Sequence, residues 1–147
     1  SNEVDAVISS KPFYLNDIIS KLDAIKKFSQ LEQSKDLASA NKRVSNILKK
    51  FTGSIKKIDE SLLEETEEIL LFKTITKLHP IIIEALNKKN FIGALNSLVE
   101  LKDPIDQFFE NVMVNSDDEK IKINRHNLLN QLHISLNSVA DISKLAN

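Results

Sequence analysis

The stretch Leu37-Ala38-Ser39-Ala40-Asn41-Lys42-Arg43-Val44-Ser45-Asn46-Ile47-Leu48-Lys49-Lys50-Phe51-Thr52-Gly53 decides the fold class. Its apolar positions Leu37, Ala40, Val44, Ile47, Leu48 and Phe51 recur at spacings of three and four, the signature of one buried helix face. The pattern predicts a helix from about Lys35 to Thr52, with Gly53 as its stop signal. Its other face is basic.

Working outward, Leu15, Ile18, Ile19, Leu22, Ile25 and Phe28 repeat the same period, with Tyr14 or Asn16 near the start. Downstream, Ser61 with Glu64 reads as a capping box, and the acids from Glu64 to Glu68 favour the positive end of a helix dipole. That helix carries Leu63, Ile69, Leu70, Phe72, Ile75 and Leu78, and Pro80 is expected to kink it before Ile81. Asn90 is placed to cap a helix from Phe91 to Leu101, and Asp103-Pro104 to open another through Phe108 and Phe109. Ser116 with Glu119 repeats the capping-box pattern before a last helix from Asp117 to about Asp141, whose stripe is Ile121, Leu128, Leu132, Leu136 and Val139. With only 2 glycines and 3 prolines, and no repeat or long linker, the expectation is an all-α bundle of about six helices in one domain, 1–147.

The bulk numbers agree. A chain of 147 residues, 41% hydrophobic and 28% charged, has the composition of one packed domain. Cysteine is absent, which excludes disulfides and thiolate chemistry and fits a reducing compartment, so a cytoplasmic location is expected. Ser1 to Ser10 holds Glu3 and Asp5 and no basic residue, unlike a secretory signal, and no apolar run approaches the ~20 residues of a membrane span. Ser1 and Asn2 are compatible with an expression scar on a piece of a longer protein.

Net charge is −1, but the charges are segregated. From Leu37 to Ile58 there is no acid, while Lys42, Arg43, Lys49, Lys50, Lys56 and Lys57 are positive. Asn41, Lys42, Arg43, Asn46, Lys49 and Lys50 fall on the faces left free by Val44, Ile47 and Leu48. Lysine and arginine can neutralise phosphates, and asparagine can hydrogen-bond base edges, a mixture suited to single-stranded RNA in a loop. A solvated face in a lysine-rich protein is the other reading, and both stay open on these residues alone. Arg125 falls on the Ile121, Leu128, Leu132 stripe and needs a carboxylate if buried. Asp106 is the candidate, with Asn124 assisting; a structural pair and a direct RNA contact are both open.

Catalytic and metal constellations are thin. His126 and His133 stand seven residues apart, too far for a shared ligand pair, and His79 has no partner in sequence. Adjacent acids such as Asp117-Asp118 and Glu64-Glu65 are explained by helix starts. No glycine-rich phosphate loop or nucleophile elbow occurs.

At this point the residues resemble a known family. Ala40-Asn41-Lys42-Arg43-Val44-Ser45-Asn46-Ile47-Leu48 is similar to the Ala-Asn-Lys-Arg-x-x-Asn-Ile-Leu stretch of bacterial glycyl-tRNA synthetase β subunits. Asp106-Gln107-Phe108-Phe109-Glu110-Asn111-Val112-Met113-Val114, Asp117-Asp118-Glu119, Asn124-Arg125, Leu128-Leu129 and Val139-Ala140-Asp141-Ile142-Ser143 resemble that family's closing segment in order and spacing. The resemblance runs from about Val4 to Leu145. Lys122 stands where the family often has arginine, His126 where leucine is common, and Asn115 where methionine is frequent.

The resemblance implies a DALR-type anticodon-binding fold, also used by arginyl-tRNA synthetase and its relatives. It implies a ligand, the anticodon loop of glycine tRNA, with the anticodon cytosines as the discriminating feature. It also implies partners: the rest of the β subunit and a catalytic α subunit in a tetramer, where ATP-dependent glycine activation takes place. This domain is then expected to have no cofactor, metal, catalysis, DNA or membrane of its own. A helical protein–protein interaction module is the alternative, and an enzyme using scattered carboxylates a third reading.

Overall fold

The computed structural model describes residues 2–9 and 15–146, the side chains of Ile8 and Ser9 excepted. Ser1, Ser10 and Tyr14, which entered the expectations above, lie outside the described residues. The described residues are helical without a strand: α1 Asn2–Ser9, α2 Leu15–Ser29, α3 Glu32–Lys50, α4 Thr66–Asn87, α5 Phe91–Ser97, α6 Lys102–Asn111 and α7 Glu119–Leu136. Short 3-10 turns occupy Glu60–Leu62, Leu98–Leu101 and Ile142–Leu145. The bundle read from periodicity is present, with α1 in addition.

One core joins all of it. α3 lies against α7 and the turn Ile142–Leu145, α4 against α5, α6 and α7, and α2 against α5 and α1. Phe28, Leu37, Leu71, Leu78, Leu98, Phe108 and Leu128 are fully buried within it. Removing each such side chain from water contributes about 1.5–3 kcal/mol, which offsets the entropy of ordering the chain. The apolar stripes are narrower than their periodicity suggests. On α2 Leu15 and Ile19 are exposed, and on α4 the buried line is Glu68, Leu71, Ile75, Leu78 and Ile82, with Leu70 in solvent.

The helix ends differ from the sequence reading, each for a local reason. Glu65, not Ser61, is the N-cap of α4: Glu68 Oε1 accepts from the Glu65 amide at 3.0 Å and from the Glu64 amide at 3.3 Å. Ser61 sits in the preceding 3-10 turn, where Asp59 Oδ1 accepts from its amide and hydroxyl. Before α7 the cap is Asp118, whose carboxylate accepts from Lys120 and Ile121, and Ser116 Oγ only takes the Asp118 amide. That helix ends at Leu136, because Asn137 turns its amide back onto the His133 carbonyl and the chain bends to bury Val139 and Ala140. Pro80 does not divide α4; it sits on the exposed side, where solvent can take the Thr76 carbonyl that a proline cannot serve.

α3 stops at Lys50, before Gly53 is reached. Phe51 already has extended backbone, φ −77° and ψ 123°, and Gly53 is not left-handed. Gly53 is small for a different reason: a Cβ there would lie 2.4 Å from Phe51 Cζ. The stop is tertiary. The linker after α3 is held extended along α7, with the Lys56 amide on Asn127 Oδ1 and the Asp59 amide on Asn124 Oδ1, both at 2.8 Å.

Candidate nucleic-acid interface

The basic face of α3 is real as a surface. Lys42, Arg43, Asn46, Lys49 and Lys50 are all exposed, while Leu37, Ala38 and Val44 are buried on the opposite side. Folding adds to this ridge what linear order keeps apart. The turn Ile142–Leu145 runs beside α3, so that Lys42, Ser45, Asn46 and Lys49 line one side of a groove of ≈ 410 Å³ and Lys144 and Ser143 the other. Asp141 also faces it, but its Oδ1 is occupied by the Ser143 amide and hydroxyl. An adjoining groove of ≈ 420 Å³ is lined by Lys42, Arg43, Asn46 and Lys50. Groove walls on which lysines and amides outnumber the single carboxylate of Asp141 suit a phosphate backbone.

Asn41 is the member of the predicted set that the fold removes. It is fully buried, and its amide is matched to that of Asn137: Nδ2 donates to Asn137 Oδ1 at 2.8 Å, and Asn137 Nδ2 donates back at 3.1 Å. A one-step rotation from Lys42 carries the side chain from solvent to the α3–α7 contact, which is why the sequence placed it on the ridge. Replacing it tests the assignment. Asn41→Ala should cost about 1–3 kcal/mol of stability, since it strands a partner amide, and leave RNA affinity within about twofold, read by thermal unfolding beside a binding titration.

Arg43 is exposed but not free in direction. Its guanidinium carbon stands 4.0 Å from the centre of the Phe109 ring, a cation–π contact that lays it toward α6 and near Asp36, Asp106 and Glu110. Phe109 is itself held edge-on against the buried Phe108, with centroids 5.4 Å apart.

Arg125 is buried, as its place on the α7 stripe requires, but its partner is not Asp106. Nη2 donates to Glu68 Oε1 at 2.8 Å, Nη1 donates to the Met113 carbonyl at 2.6 Å, and Glu64 stands at 3.8 Å. The hydrogen bond it donates to Glu68 holds the guanidinium pKa above its ordinary value, against the opposing effect of burial. Asp106 instead pairs with Lys102 at 2.9 Å, in the groove that Arg43 also lines. Asn124 does not assist Arg125 either. It is spent on the linker, accepting from the Asp59 amide and donating to the Asp59 carbonyl. The three residues therefore sit in separate places, Asn124 and Arg125 buried and hydrogen-bonded within the fold and Asp106 in an exposed ion pair.

Two features were not read from sequence. At the end of α3, Phe51 stacks on His126, centroids 4.0 Å apart and planes 14° from parallel, beside a cavity of ≈ 430 Å³ lined by Lys50, Thr52, Asn115 and Lys122. Lys122 on α7 thus extends the ridge around a corner. His133, two turns on, is elsewhere; burial lowers its pKa, with Asp141 opposing and Lys49 reinforcing.

Among the described residues no helix is long and apolar enough to cross a membrane. The chain is 42% identical over 146 residues to the glycine–tRNA ligase β subunit of Ralstonia nicotianae, covering 99% of this chain and 21% of the relative. It is 43% identical over 145 residues to that of Methylobacillus flagellatus (98% and 20%) and 44% identical over 142 residues to that of Neisseria meningitidis serogroup C (97% and 21%). The chain spans about a fifth of the length of these curated relatives. Residues 37–144 match the DALR anticodon binding domain, a span that begins with the basic helix α3 and closes with the turn that carries Lys144 beside it. With close to three quarters of its length inside that match, this all-helical chain belongs to the DALR anticodon binding domain family.

Proposed function

We propose that this chain is the anticodon-binding portion of a glycine–tRNA ligase β subunit and grips the anticodon stem-loop of glycine tRNA without catalysing a reaction. The observation that carries the reading is the acid-free stretch of α3 from Leu37 to Lys50, inside the family match, joined by Lys144 and Lys122 from distant sequence. The names of the relatives point to the same ligand. Lys42, Lys49, Lys50 and Lys144 neutralise the loop's phosphates and set its position, while Asn46 and Arg43 meet unstacked bases. Glycine activation with ATP belongs to a separate catalytic α subunit in the cytoplasm, and the remaining four fifths of the β subunit adds contacts elsewhere on the tRNA. Linking those contacts raises affinity through effective concentration, so the isolated domain binds more weakly than the assembly.

The test is a fluorescence titration of the 147-residue chain at low salt with the anticodon stem-loop of glycine tRNA and with a stem-loop of equal length from another tRNA. Saturable binding that favours the glycine sequence supports the proposal. Equal, weak binding to both would reduce the chain to an unspecific cationic surface, and no binding to either would favour a protein interaction module.

A further inference from the structure

We infer that the cavity between the end of α3 and α7 seats one unstacked nucleotide of the bound loop, with His126 Nε2 accepting a hydrogen bond from an exocyclic amine of its base and Lys50 and Lys122 flanking its phosphate. The inference rests on the proposal that the ligand is an RNA loop, and it names where one base is read.

The argument begins with the protonation of one ring. His126 Nδ1 lies 2.8 Å from the Lys122 carbonyl, one turn back along α7. A carbonyl only accepts, so Nδ1 carries the hydrogen, and in the neutral imidazole Nε2 is left as an acceptor. Nε2 has no partner among the described residues, and the ring lines the cavity although the residue is only 2% exposed. Its direction is set from two sides. The Lys122 carbonyl prevents the ring from flipping, and the near-parallel Phe51 ring fixes its plane, itself confined by the approach of Gly53. A narrow, oriented acceptor costs little further entropy on binding.

The remaining lining suits a nucleotide better than a bare anion. Lys50 and Lys122 provide positive charge, and Asn115 and Thr52 provide neutral polar groups; among the described residues none of these four side chains is engaged in a hydrogen bond or ion pair. An anion alone would meet the lone pair of Nε2. A base that presents an amine donates to that lone pair while its phosphate stays near the lysines. The volume of ≈ 430 Å³ lies within the range of about 300–1,000 Å³ usual for ligand pockets. A carbonyl in place of the amine turns the contact into two opposed acceptors, so cytosine is accepted and uridine, of the same ring size, is rejected.

The experiment compares the glycine stem-loop with a copy in which the loop cytosines are uridines, titrated against wild type, His126→Phe, His126→Gln and Lys122→Ala. Wild type should favour the cytosine loop by about tenfold, the equivalent of one well-placed hydrogen bond. His126→Phe keeps a ring on Phe51 but has no acceptor, and His126→Gln can donate as well as accept, so both should reduce the preference to about twofold or less. Lys122→Ala should weaken both RNAs alike, by about three- to tenfold, and its partly exposed side chain makes it the control if a His126 variant fails to fold. A tenfold preference that persists in folded His126 variants, or binding indifferent to Lys122→Ala, overturns the pocket and leaves the anticodon reading in place. Absence of binding to either RNA by wild type overturns that reading as well.

Discussion

Arg125→Met is expected to lower the free energy of unfolding by about 3–5 kcal/mol, because it leaves the carboxylate of Glu68 buried without its counter-charge. Glu68 is 0% exposed, and its Oε2 has no hydrogen-bond partner, so loss of the guanidinium cannot be made good by water without opening the α4–α7 contact. The Met113 carbonyl loses its donor in the same step. The double variant Arg125→Met/Glu68→Leu should recover much of the loss, since a buried pair replaced by apolar groups of similar volume is often neutral. Recovery should stop short by about 0.5–2 kcal/mol, the usual worth of a cap, because Glu68 also satisfies the first amides of α4. Urea denaturation of the three proteins measures these terms. A cost below about 1 kcal/mol for Arg125→Met alone would mean that solvent reaches Glu68 and that the pair is not a closed structural element.

The second large effect is electrostatic. For wild type and the glycine stem-loop, log Kd against log salt should have a slope of magnitude roughly 2 to 4, the value for three to six phosphates neutralised on a single strand. Lys42→Ala/Lys49→Ala/Lys50→Ala should reduce that magnitude by roughly 2, about 0.7 for each lost phosphate contact, and weaken binding at low salt by one to two orders of magnitude. Stability should change little, because the three side chains are exposed and their contribution to folding is small. An unaltered slope in the triple variant would move the phosphate contacts off α3, and a shallow, irregular slope in wild type would favour a protein partner over RNA.

Much of this was legible beforehand. Leu37, Val44, Ile47 and Leu48 announce a helix and its buried side, and the absence of acids from Leu37 to Ile58 announces the cationic ridge. Part of the remainder was also legible and was missed. Glu68 stands at the same spacings as Leu71, Ile75, Leu78 and Ile82, so the period of α4 places it indoors, yet the acidic run suggested only a helix start. Asp118 and Glu65 likewise outcompeted Ser116 and Ser61 as caps, because the chain bends later than the serines imply.

The sequence by itself determined the helical period, the approximate bounds of six of the helices and the sign of the α3 surface, since each depends on residues three or four apart. It could not choose partners. Arg125 found Glu68 across 57 residues rather than Asp106, and Asn41 found Asn137 across 96. His126 met Phe51, and Lys144 and Lys122 joined the ridge, only because α7 and the final turn pack on α3. Those pairings are decided by which helix faces meet in the core, a property of the assembled bundle that no local pattern carries.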